Sequence, residues 1–262
     1  MKKKYIIWDF DGTLVNTNNI IIESWQATFR HFLGHELPVR EIEATFGEVL
    51  MNTIDEKIPS APVDEAVDFY RAFQDSHHDD FPVYAFDGIP ELLAELRKRG
   101  CLIGVGTSRT EYSFTNYIES LGLGSYFDEI VTVNDVSNHK PHPETIDAVL
   151  LKLMSHDKAE WEKAAPNMDA CENTGSNGFT LNTYEEKPSF VRETSLMIPD
   201  EVRRQAIMIG DTKYDIGCAN NAGIDSVLVG WSQYVDEASM AADGFAPTHR
   251  ISKPEDLLAL IL

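Results

Sequence analysis

Short apolar runs alternate with amphipathic helical patterns along most of this chain, and no other feature constrains its fold as strongly. Strand patterns occur at 5–8, 101–106, 129–133, 206–210 and 225–229. Helical spacing of apolar residues occurs between them and at the end of the chain, at 88–99, 111–121, 143–153, 214–222 and 255–261. Strands that alternate with helices are typical of a parallel sheet that is covered on both faces. We therefore predict an α/β fold with a doubly wound parallel sheet.

The segment that follows the first strand has a different pattern, because it contains helical spacing and no strand. Apolar residues recur with helical periodicity, which predicts a first helix that begins at Thr17 and three more helices at 39–45, 50–57 and 63–73. We therefore predict a helical domain at 17–83. It is inserted into a core domain that comprises 1–16 and 84–262.

A second insertion, at 155–204, is atypical for such a core. A whole strand-helix-strand unit usually needs only about thirty residues, and this stretch lengthens the connection well beyond that. It is rich in Asn, Thr, Gly and Glu. The sequence leaves open a long loop, a small hairpin of 179–181 against 190–191, or partial disorder. It indicates no role for the insertion.

The charge balance excludes several classes of partner. The chain has 22 Lys and Arg residues against 43 Asp and Glu residues, a formal net charge of −21. Such a chain repels nucleic acid and anionic membrane surfaces. The first apolar run, 5–8, is too short for a signal peptide, and no segment approaches the length of a membrane span. We therefore expect a cytoplasmic protein with neither nucleic acid nor membrane as a partner.

Two carboxylates follow the first strand and point to chemistry there. Asp9 and Asp11 are two residues apart, so they project to the same side where the strand ends and Gly12 lets the chain turn. Two such carboxylates repel each other unless a cation lies between them or one of them holds a proton. The pair therefore indicates either a Mg²⁺ site or a nucleophile beside a general acid and base.

The other predicted strands carry polar residues at their carboxyl ends as well. These residues are Thr107, Lys140, Asp211 and Asp215. Parallel strands end at the same edge of a sheet, where ligands of doubly wound folds bind. The sequence therefore predicts that acids, a hydroxyl group and an ammonium group meet in one crevice.

This set of groups suits phosphoryl transfer. Mg²⁺ prefers oxygen ligands, which Asp9, Asp211 and the backbone carbonyl of Asp11 provide. A carboxylate can attack phosphorus, while Thr107 and Lys140 stabilise the charge that develops on the phosphoryl oxygens. A second carboxyl group, for which Asp11 is the natural candidate, exchanges protons with the leaving group and with water.

The residues at these strand ends also resemble a known family. The segments 9–14, 107–108, 140–141 and 210–215 resemble, in order, the four motifs of the haloacid dehalogenase-like (HAD) hydrolase superfamily. The flanking segments 86–89 and 222–224 resemble its phosphoglycolate phosphatase-like branch. The resemblance covers nearly the whole chain except the stretch around 155–204, which makes the spacing from Lys140 to Asp211 longer than is usual in the family.

The resemblance implies a role for each motif residue. It implies Asp9 as nucleophile, Asp11 as acid and base, and Thr107 and Lys140 as catalytic groups that bind phosphate. It also implies a Mg²⁺ site, with the metal ligands Asp9, Asp11, Asp211 and, as a supporting or water-mediated ligand, Asp215. The helical segment 17–83 matches the position of the family's mobile cap.

Substrate contacts are expected near the second motif and in the cap. Ser108 and Arg109 follow Thr107 at the rim, where they are expected to bind substrate, although pairing with a nearby acid is the alternative for Arg109. The loop 46–52 resembles the substrate loop of relatives but lacks an Arg, and Glu48 in it disfavours an additional substrate carboxylate. This argues against phosphoglycolate itself.

The sequence therefore predicts a Mg²⁺-dependent phosphatase that hydrolyses a small soluble phosphate monoester, a small phosphorylated metabolite, through an aspartyl phosphate on Asp9. Haloacid dehalogenation is not expected, because the resemblance implies that dehalogenating members lack the acid that Asp11 supplies. A phosphomutase of the β-phosphoglucomutase type is the first alternative. A non-catalytic binding protein with the same fold is the second.

Overall fold

The computed structural model describes residues 2–157, 198–232 and 234–261. Its main sheet has six parallel strands, which are β1 (Tyr5–Trp8), β4 (Leu102–Gly106), β5 (Glu129–Val131), β6 (Ala206–Gly210), β7 (Asp225–Val229) and β8 (His249–Ile251). Their order across the sheet is β5-β4-β1-β6-β7-β8.

The order of the strands places the first one at the centre of the sheet. β1 pairs with β4 on one side and with β6 on the other, so that Trp8 lies between Val105 and Ile209. The chain first winds outward through β4 and β5, and then winds in the opposite direction through β6, β7 and β8. A doubly wound sheet binds ligands where its winding reverses, at the carboxyl ends of the strands. The end of β1 is therefore the expected position of the site.

Helices cover both faces of this sheet. They are α5 (Ile89–Lys98), α6 (Glu111–Ser120), α7 (Glu144–Ser155), α8 (Asp200–Arg204), α9 (Lys213–Ala222) and α10 (Glu237–Ala242). Alternate residues of β1 enter different apolar clusters, Ile6 and Trp8 in one and Tyr5 and Ile7 in the other. All four side chains are fully buried. A central parallel strand that is buried on both faces explains the uninterrupted apolar run at 5–8.

Four further helices, here called the inserted helices, lie between two short strands. They are α1 (Asn18–Leu33), α2 (Val39–Glu43), α3 (Leu50–Lys57) and α4 (Val63–His77). The strands β2 (Val15–Asn16) and β3 (Tyr84–Ala85) pair antiparallel, so the chain enters and leaves this segment at one place. The inserted helices share an apolar cluster of their own, in which Trp25 packs on Phe29 and Tyr70 with ring centroids 5.3 and 4.9 Å apart.

The structure confirms the predicted fold class and most of the predicted elements. The strands at 5–8, 206–210 and 225–229 and the helix at 50–57 have the predicted bounds. The predicted terminal helix at 255–261 is present, but it is a 3₁₀-helix with other bounds, Pro254–Ala259. The short elements β2, β3, β8, α8 and α10 were not predicted. The possible hairpin of 179–181 against 190–191 lies outside the described residues.

In the part of the chain that the structure describes, no helix combines the length and the apolar character that crossing a bilayer requires. The division into a cap at 17–83 and a core stays a prediction. The inserted helices and their separate apolar cluster support it.

Candidate active site

Three buried carboxylates meet where β1 and β6 end. Asp9 follows β1, Asp211 follows β6, and Asp215 lies in the first turn of α9. One carboxylate oxygen from each of the three lies within 4.8 Å of the others. All three residues are buried. Carboxylates this close repel one another, so the cluster requires positive charge nearby.

Lys140 supplies part of that charge. Its Nζ donates hydrogen bonds to Asp9 Oδ1 and Asp215 Oδ1, both at 2.7 Å. Burial lowers the pKa of the Lys140 ammonium group, but the charges of Asp215 and Asp9 raise it by more, so the group stays protonated. A buried cation with two carboxylate partners fixes the geometry of the nucleophile candidate from one side.

One ammonium group does not compensate three carboxylates. Burial, together with the charge of Asp215, raises the pKa of Asp9 well above its usual range, against the opposing effect of Lys140. Burial and Asp215 also raise the pKa of Asp211 to about 7, although hydrogen bonds from Ser232 and Thr13 oppose this shift. A divalent cation among these oxygens would remove the repulsion. The donor set consists of carboxylate oxygens, which are the ligands that Mg²⁺ prefers, so the residues fit this metal.

Neighbouring side chains hold Asp211 and Asp215 in position. Asp211 accepts hydrogen bonds from Thr13 Oγ1 at 3.2 Å and Ser232 Oγ at 2.7 Å. Asp215 Oδ2 accepts from the backbone N–H of Thr212 at 3.0 Å and from its Oγ1 at 2.7 Å. These partners leave the two carboxylates little freedom to turn away from Asp9.

Close approach at the first turn explains the glycine after Asp11. Gly12 has a φ of 73°, in the left-handed region that glycine adopts without a steric penalty. A Cβ atom at this position would lie 2.2 Å from Asp211 Oδ2. Only glycine therefore lets the loop after β1 pass so close to the carboxylate at the end of β6.

Asp11 is placed apart from the three-carboxylate cluster. The Arg109 guanidinium holds its carboxylate through Nε to Oδ2 and Nη2 to Oδ1, both at 2.7 Å. Thr17 Oγ1 donates to Oδ1 at 2.5 Å. The structure thus brings Asp9, Asp211 and Asp215 together as predicted, but it directs the Asp11 side chain to Arg109. The predicted role of Asp11 as a metal ligand through its backbone carbonyl stays a prediction.

Arg109 is fixed by more than its ion pair. Its Nη1 donates to Ser113 Oγ at 2.6 Å, and the guanidinium lies 4.7 Å from the centroid of the Tyr117 ring. Burial lowers the pKa of this group, but the charge and hydrogen bonds of Asp11 raise it by more. The sequence left open whether Arg109 contacts substrate or an acid. The structure pairs it with an acid, the Asp11 that is expected to move protons.

The two residues before Arg109 are placed at the same strand end. Thr107 is buried, and its Oγ1 accepts from the backbone N–H of Arg109 at 3.1 Å. Ser108 Oγ donates to the backbone carbonyl of Gly47 at 2.9 Å, which ties the end of β4 to the loop between α2 and α3. Their predicted contacts with phosphate and substrate stay predictions.

A cavity of about 130 Å³ lies between the ends of the strands and the inserted helices. Asp9, Asp11 and Asp211 line it on the sheet side. On the side of the inserted helices its lining residues include Asn18, Trp25, Tyr70, Arg71 and Gln74. The candidate nucleophile is thus reached from a small compartment that this helical segment helps to close.

The loop between α2 and α3 closes one end of this cavity. Glu48 in this loop lies near Tyr214 at the start of α9, and burial together with the charge of Glu48 raises the pKa of Tyr214 to about 12. Gly47 has a φ of 85°, and a Cβ atom there would lie 2.6 Å from Thr212 Oγ1. The loop therefore touches the same residue that holds Asp215.

We expect Gly47→Ala to lower kcat/KM by roughly tenfold to a hundredfold, because the new methyl group forces the loop away from Thr212 and misplaces the substrate. The measurement is steady-state kinetics, together with thermal unfolding. Gly34→Ala is a matched control, because Gly34 also has a positive φ, 77°, but a methyl group there would meet none of the described residues within 4 Å. Both variants place an alanine at a positive φ, which costs similar conformational energy. Equal losses of kcat/KM would therefore contradict the expectation that the contact between Gly47 and Thr212 positions the substrate.

Comparison with known proteins identifies the family. A family model described as haloacid dehalogenase-like hydrolase matches residues 6–161, and a second HAD-hydrolase model matches residues 138–257. The chain belongs to the haloacid dehalogenase-like hydrolases. It is thus a member of a family of enzymes, as its motifs led us to expect.

Individual relatives extend along the whole chain. The pyrophosphatase PpaX of Bacillus mycoides is 27% identical over 261 residues, which is 100% of this chain and 98% of the relative. A solved haloacid dehalogenase-like hydrolase from Streptococcus pneumoniae has a TM-score of 0.65 at 21% identity, covering 99% of each chain. A predicted phosphoglycolate phosphatase from Haemophilus somnus has a TM-score of 0.66 at 17% identity, covering 100% of this chain and 99% of its own. These structures support the fold.

Sequence reasoning missed several residues that shape the site. Thr13 and Ser232 hold Asp211, and Asn18, Arg71 and Gln74 line the cavity. Thr13 lies inside the first motif, which is a signal that could have identified it. The others lie in helices or in the segment after β7, where one sequence gives no sign that they face the ends of β1 and β6.

Proposed function

We propose that this protein is a Mg²⁺-dependent phosphatase that hydrolyses a small phosphate ester through an aspartyl phosphate on Asp9. The observation that carries the proposal is the position of Asp9. Its carboxylate lines the cavity, accepts a hydrogen bond from Lys140 and shares a cluster with Asp211 and Asp215. A carboxylate that faces a substrate-sized space beside a cation and a metal-binding set of oxygens is suited to attack phosphorus.

In the first step, Asp9 attacks phosphorus and the bond to the leaving oxygen breaks. Lys140 holds the attacking carboxylate and offsets the charge of the phosphoryl oxygens, to which the hydroxyl of Thr107 is also assigned. The leaving oxygen takes a proton from Asp11, which has to leave its ion pair with Arg109 in order to carry that proton. Mg²⁺ held by Asp9 and Asp211 would supply further positive charge against the phosphoryl oxygens.

In the second step, water attacks the phosphorus of the aspartyl phosphate and Asp9 is released. Asp11, as a carboxylate, accepts the proton of that water. The Arg109 guanidinium stabilises this carboxylate and fixes its orientation through two hydrogen bonds at 2.7 Å. The inserted helices close the cavity and limit the access of other water molecules.

Phosphate release from a panel of small phosphate esters tests the proposal. We expect turnover of at least one ester in the presence of Mg²⁺, and loss of turnover when a chelator removes the metal. A phosphomutase would instead yield an isomerised ester without free phosphate. A folded protein that binds Mg²⁺ but releases no phosphate from any ester would contradict the proposal.

Pyrophosphate is a second candidate substrate, and it belongs in the same panel. The relatives from Bacillus that match the whole chain at 26–27% identity are named pyrophosphatase PpaX. Pyrophosphate is compact, which is compatible with a cavity of about 130 Å³. Arg71 also lines that cavity, and its positive charge suits a substrate whose leaving group is anionic.

Metal binding to the three-carboxylate cluster also predicts a stability effect. We expect Mg²⁺ at about 100 times its Kd to raise the free energy of unfolding by about 2.7 kcal/mol, because the metal binds the folded state and relieves carboxylate repulsion. Thermal unfolding with and without Mg²⁺ measures this. Asp211→Asn should lose most of the effect. Asp79→Asn is the matched control, because the Asp79 side chain is 91% exposed and should leave the effect intact.

A further inference from the structure

One buried amide in the cavity lacks a hydrogen-bond partner. Asn18 is the first residue of α1, is only 3% exposed and lines the same cavity as Asp9. Its Nδ2 has no partner among the described residues. A buried donor that is left unpaired costs about 1–3 kcal/mol. Such an atom, on a residue that lines the same cavity as the candidate nucleophile, indicates that a bound ligand supplies the missing acceptor.

A cation lies on the same side of the cavity. Arg71 of α4 lines it, and no ion pair to Arg71 exists within the ranges that the structure describes. Its neighbours are fixed, since Gln74 Nε2 donates to the Tyr70 hydroxyl at 3.2 Å and the Tyr70 ring packs on Trp25. In a chain with 43 acidic residues, a cavity arginine without a carboxylate partner is suited to an anionic ligand.

The acid that was expected to oppose a second anion, Glu48, lines the cavity as well. The sequence suggested that Glu48 disfavours an additional substrate carboxylate and that the substrate loop 46–52 lacks an arginine. In the structure the cation comes instead from α4, a different element that lines the same cavity. Any second anionic group would therefore be held from α4 rather than from this loop.

We propose that Asn18 and Arg71 bind the leaving part of the substrate and select leaving groups that carry an anionic oxygen group. The inference rests on the proposed function, because it assumes that the transferred phosphoryl group faces Asp9. The substrate class is then a compact phosphate ester or anhydride with a second phosphate or carboxylate group. Arg71 pairs with that anion, and the Asn18 amide donates to one of its oxygens.

Kinetics with two kinds of leaving group test this assignment. The anionic substrates are pyrophosphate and 2-phosphoglycolate, and the comparison substrate is p-nitrophenyl phosphate. We expect Asn18→Ala and Arg71→Met to lower kcat/KM for the preferred anionic substrate about tenfold to a hundredfold more than for p-nitrophenyl phosphate, the scale of a lost hydrogen bond to a charged group. Equal losses for all three substrates, or a wild-type enzyme that prefers p-nitrophenyl phosphate, would overturn the inference.

Matched controls separate this effect from changes in folding. Asn19→Ala changes the neighbouring exposed asparagine, and Arg40→Met changes an exposed arginine of α2. Neither should change the preference among substrates. Because Nδ2 of Asn18 is unpaired in the ligand-free protein, Asn18→Ala should not lower the melting temperature. If Asn18 had a purely structural role, Asn18→Ala would lower the melting temperature.

A binding measurement keeps the inference testable even when no turnover is seen. Methylenediphosphonate, which cannot be hydrolysed, is titrated in the presence of Mg²⁺ and compared with methylphosphonate. We expect the wild-type protein to bind the diphosphonate at least tenfold more tightly, and both variants to lose that advantage. Such binding without phosphate release from any substrate would contradict the proposed function, but it would still support the assignment of the anion subsite. Equal affinity for the two probes would overturn the subsite.

Discussion

Asp9→Asn is expected to reduce phosphate release by roughly 10⁴-fold to 10⁶-fold, the scale observed when a catalytic nucleophile is removed. Asparagine keeps the shape of the side chain but loses the charge and the nucleophilic oxygen. Asp211 and Asp215 remain in place to bind Mg²⁺, together with the amide oxygen that replaces a carboxylate oxygen of Asp9, and Lys140 remains in place to bind phosphate. The loss should therefore appear in kcat, measured as phosphate release at saturating substrate, rather than in substrate binding.

The same variant should remain folded. Burial and the neighbouring carboxylates raise the pKa of Asp9, so its charged form costs stability at neutral pH in the metal-free protein. A neutral asparagine removes that cost, and we expect the melting temperature without metal to be unchanged or higher. Asp79→Asn, at an exposed position, should retain full activity. Substantial turnover by Asp9→Asn would exclude Asp9 as the nucleophile.

Lys140→Met is expected to destabilise the metal-free protein by about 3–5 kcal/mol, the cost of breaking a buried ion pair by removing one partner. Lys140 bridges Asp9 and Asp215 through two hydrogen bonds of 2.7 Å. Without it, the buried carboxylates lose their cation. Chemical denaturation measures the change in the free energy of unfolding, and kcat should fall as well because the phosphoryl oxygens lose a positive partner.

A second substitution tests the cause of that destabilisation. In the double variant Lys140→Met with Asp215→Asn, one of the buried carboxylates that lost its cation is replaced by a neutral amide. Part of the lost stability should therefore return. Lys98→Met is the matched control, because the Lys98 side chain is 81% exposed and should change stability by less than about 1 kcal/mol. A double variant whose losses simply add would show that charge is not the cause.

The strands of the sheet centre were predictable because of where they lie. β1, β6 and β7 are almost entirely buried, so their sequences are continuous apolar runs with sharp ends. β8 at the sheet edge has only three residues, two of which are His249 and Arg250, and it gives no such pattern. The 3₁₀-helix at Pro254–Ala259 shares apolar spacing with an α-helix, so the sequence pattern identified a helix there but not its type.

The members of the site were predictable, but their contacts were not. Asp9, Lys140, Asp211 and Asp215 were identified because the carboxyl ends of parallel strands meet at one edge. The pairing of Arg109 with Asp11 joins residues 98 positions apart, and the hydrogen bond from Thr13 to Asp211 joins residues 198 positions apart. Such contacts depend on how the elements pack, about which a single sequence carries no local signal.

The residues of the proposed anion subsite show the same limit. From the sequence alone, Asn18 is recognised only as a residue at the start of a helix, and Arg71 only as a charged residue on the polar side of α4. Their importance appears only when the cavity, the unpaired amide and the nucleophile candidate are seen together. Three-dimensional packing thus adds specificity to a reaction type that the motifs alone indicate.

The central claim is that phosphate passes through a covalent bond to Asp9, and trapping that bond tests it most directly. The enzyme is mixed with Mg²⁺ and a substrate that it turns over, quenched in acid within the first turnover, digested and analysed by mass spectrometry. We predict one phosphoryl group on Asp9, removed by hydroxylamine as expected for an acyl phosphate. Turnover that continues with no phosphoryl group on Asp9, or with one on another residue, would contradict the claim.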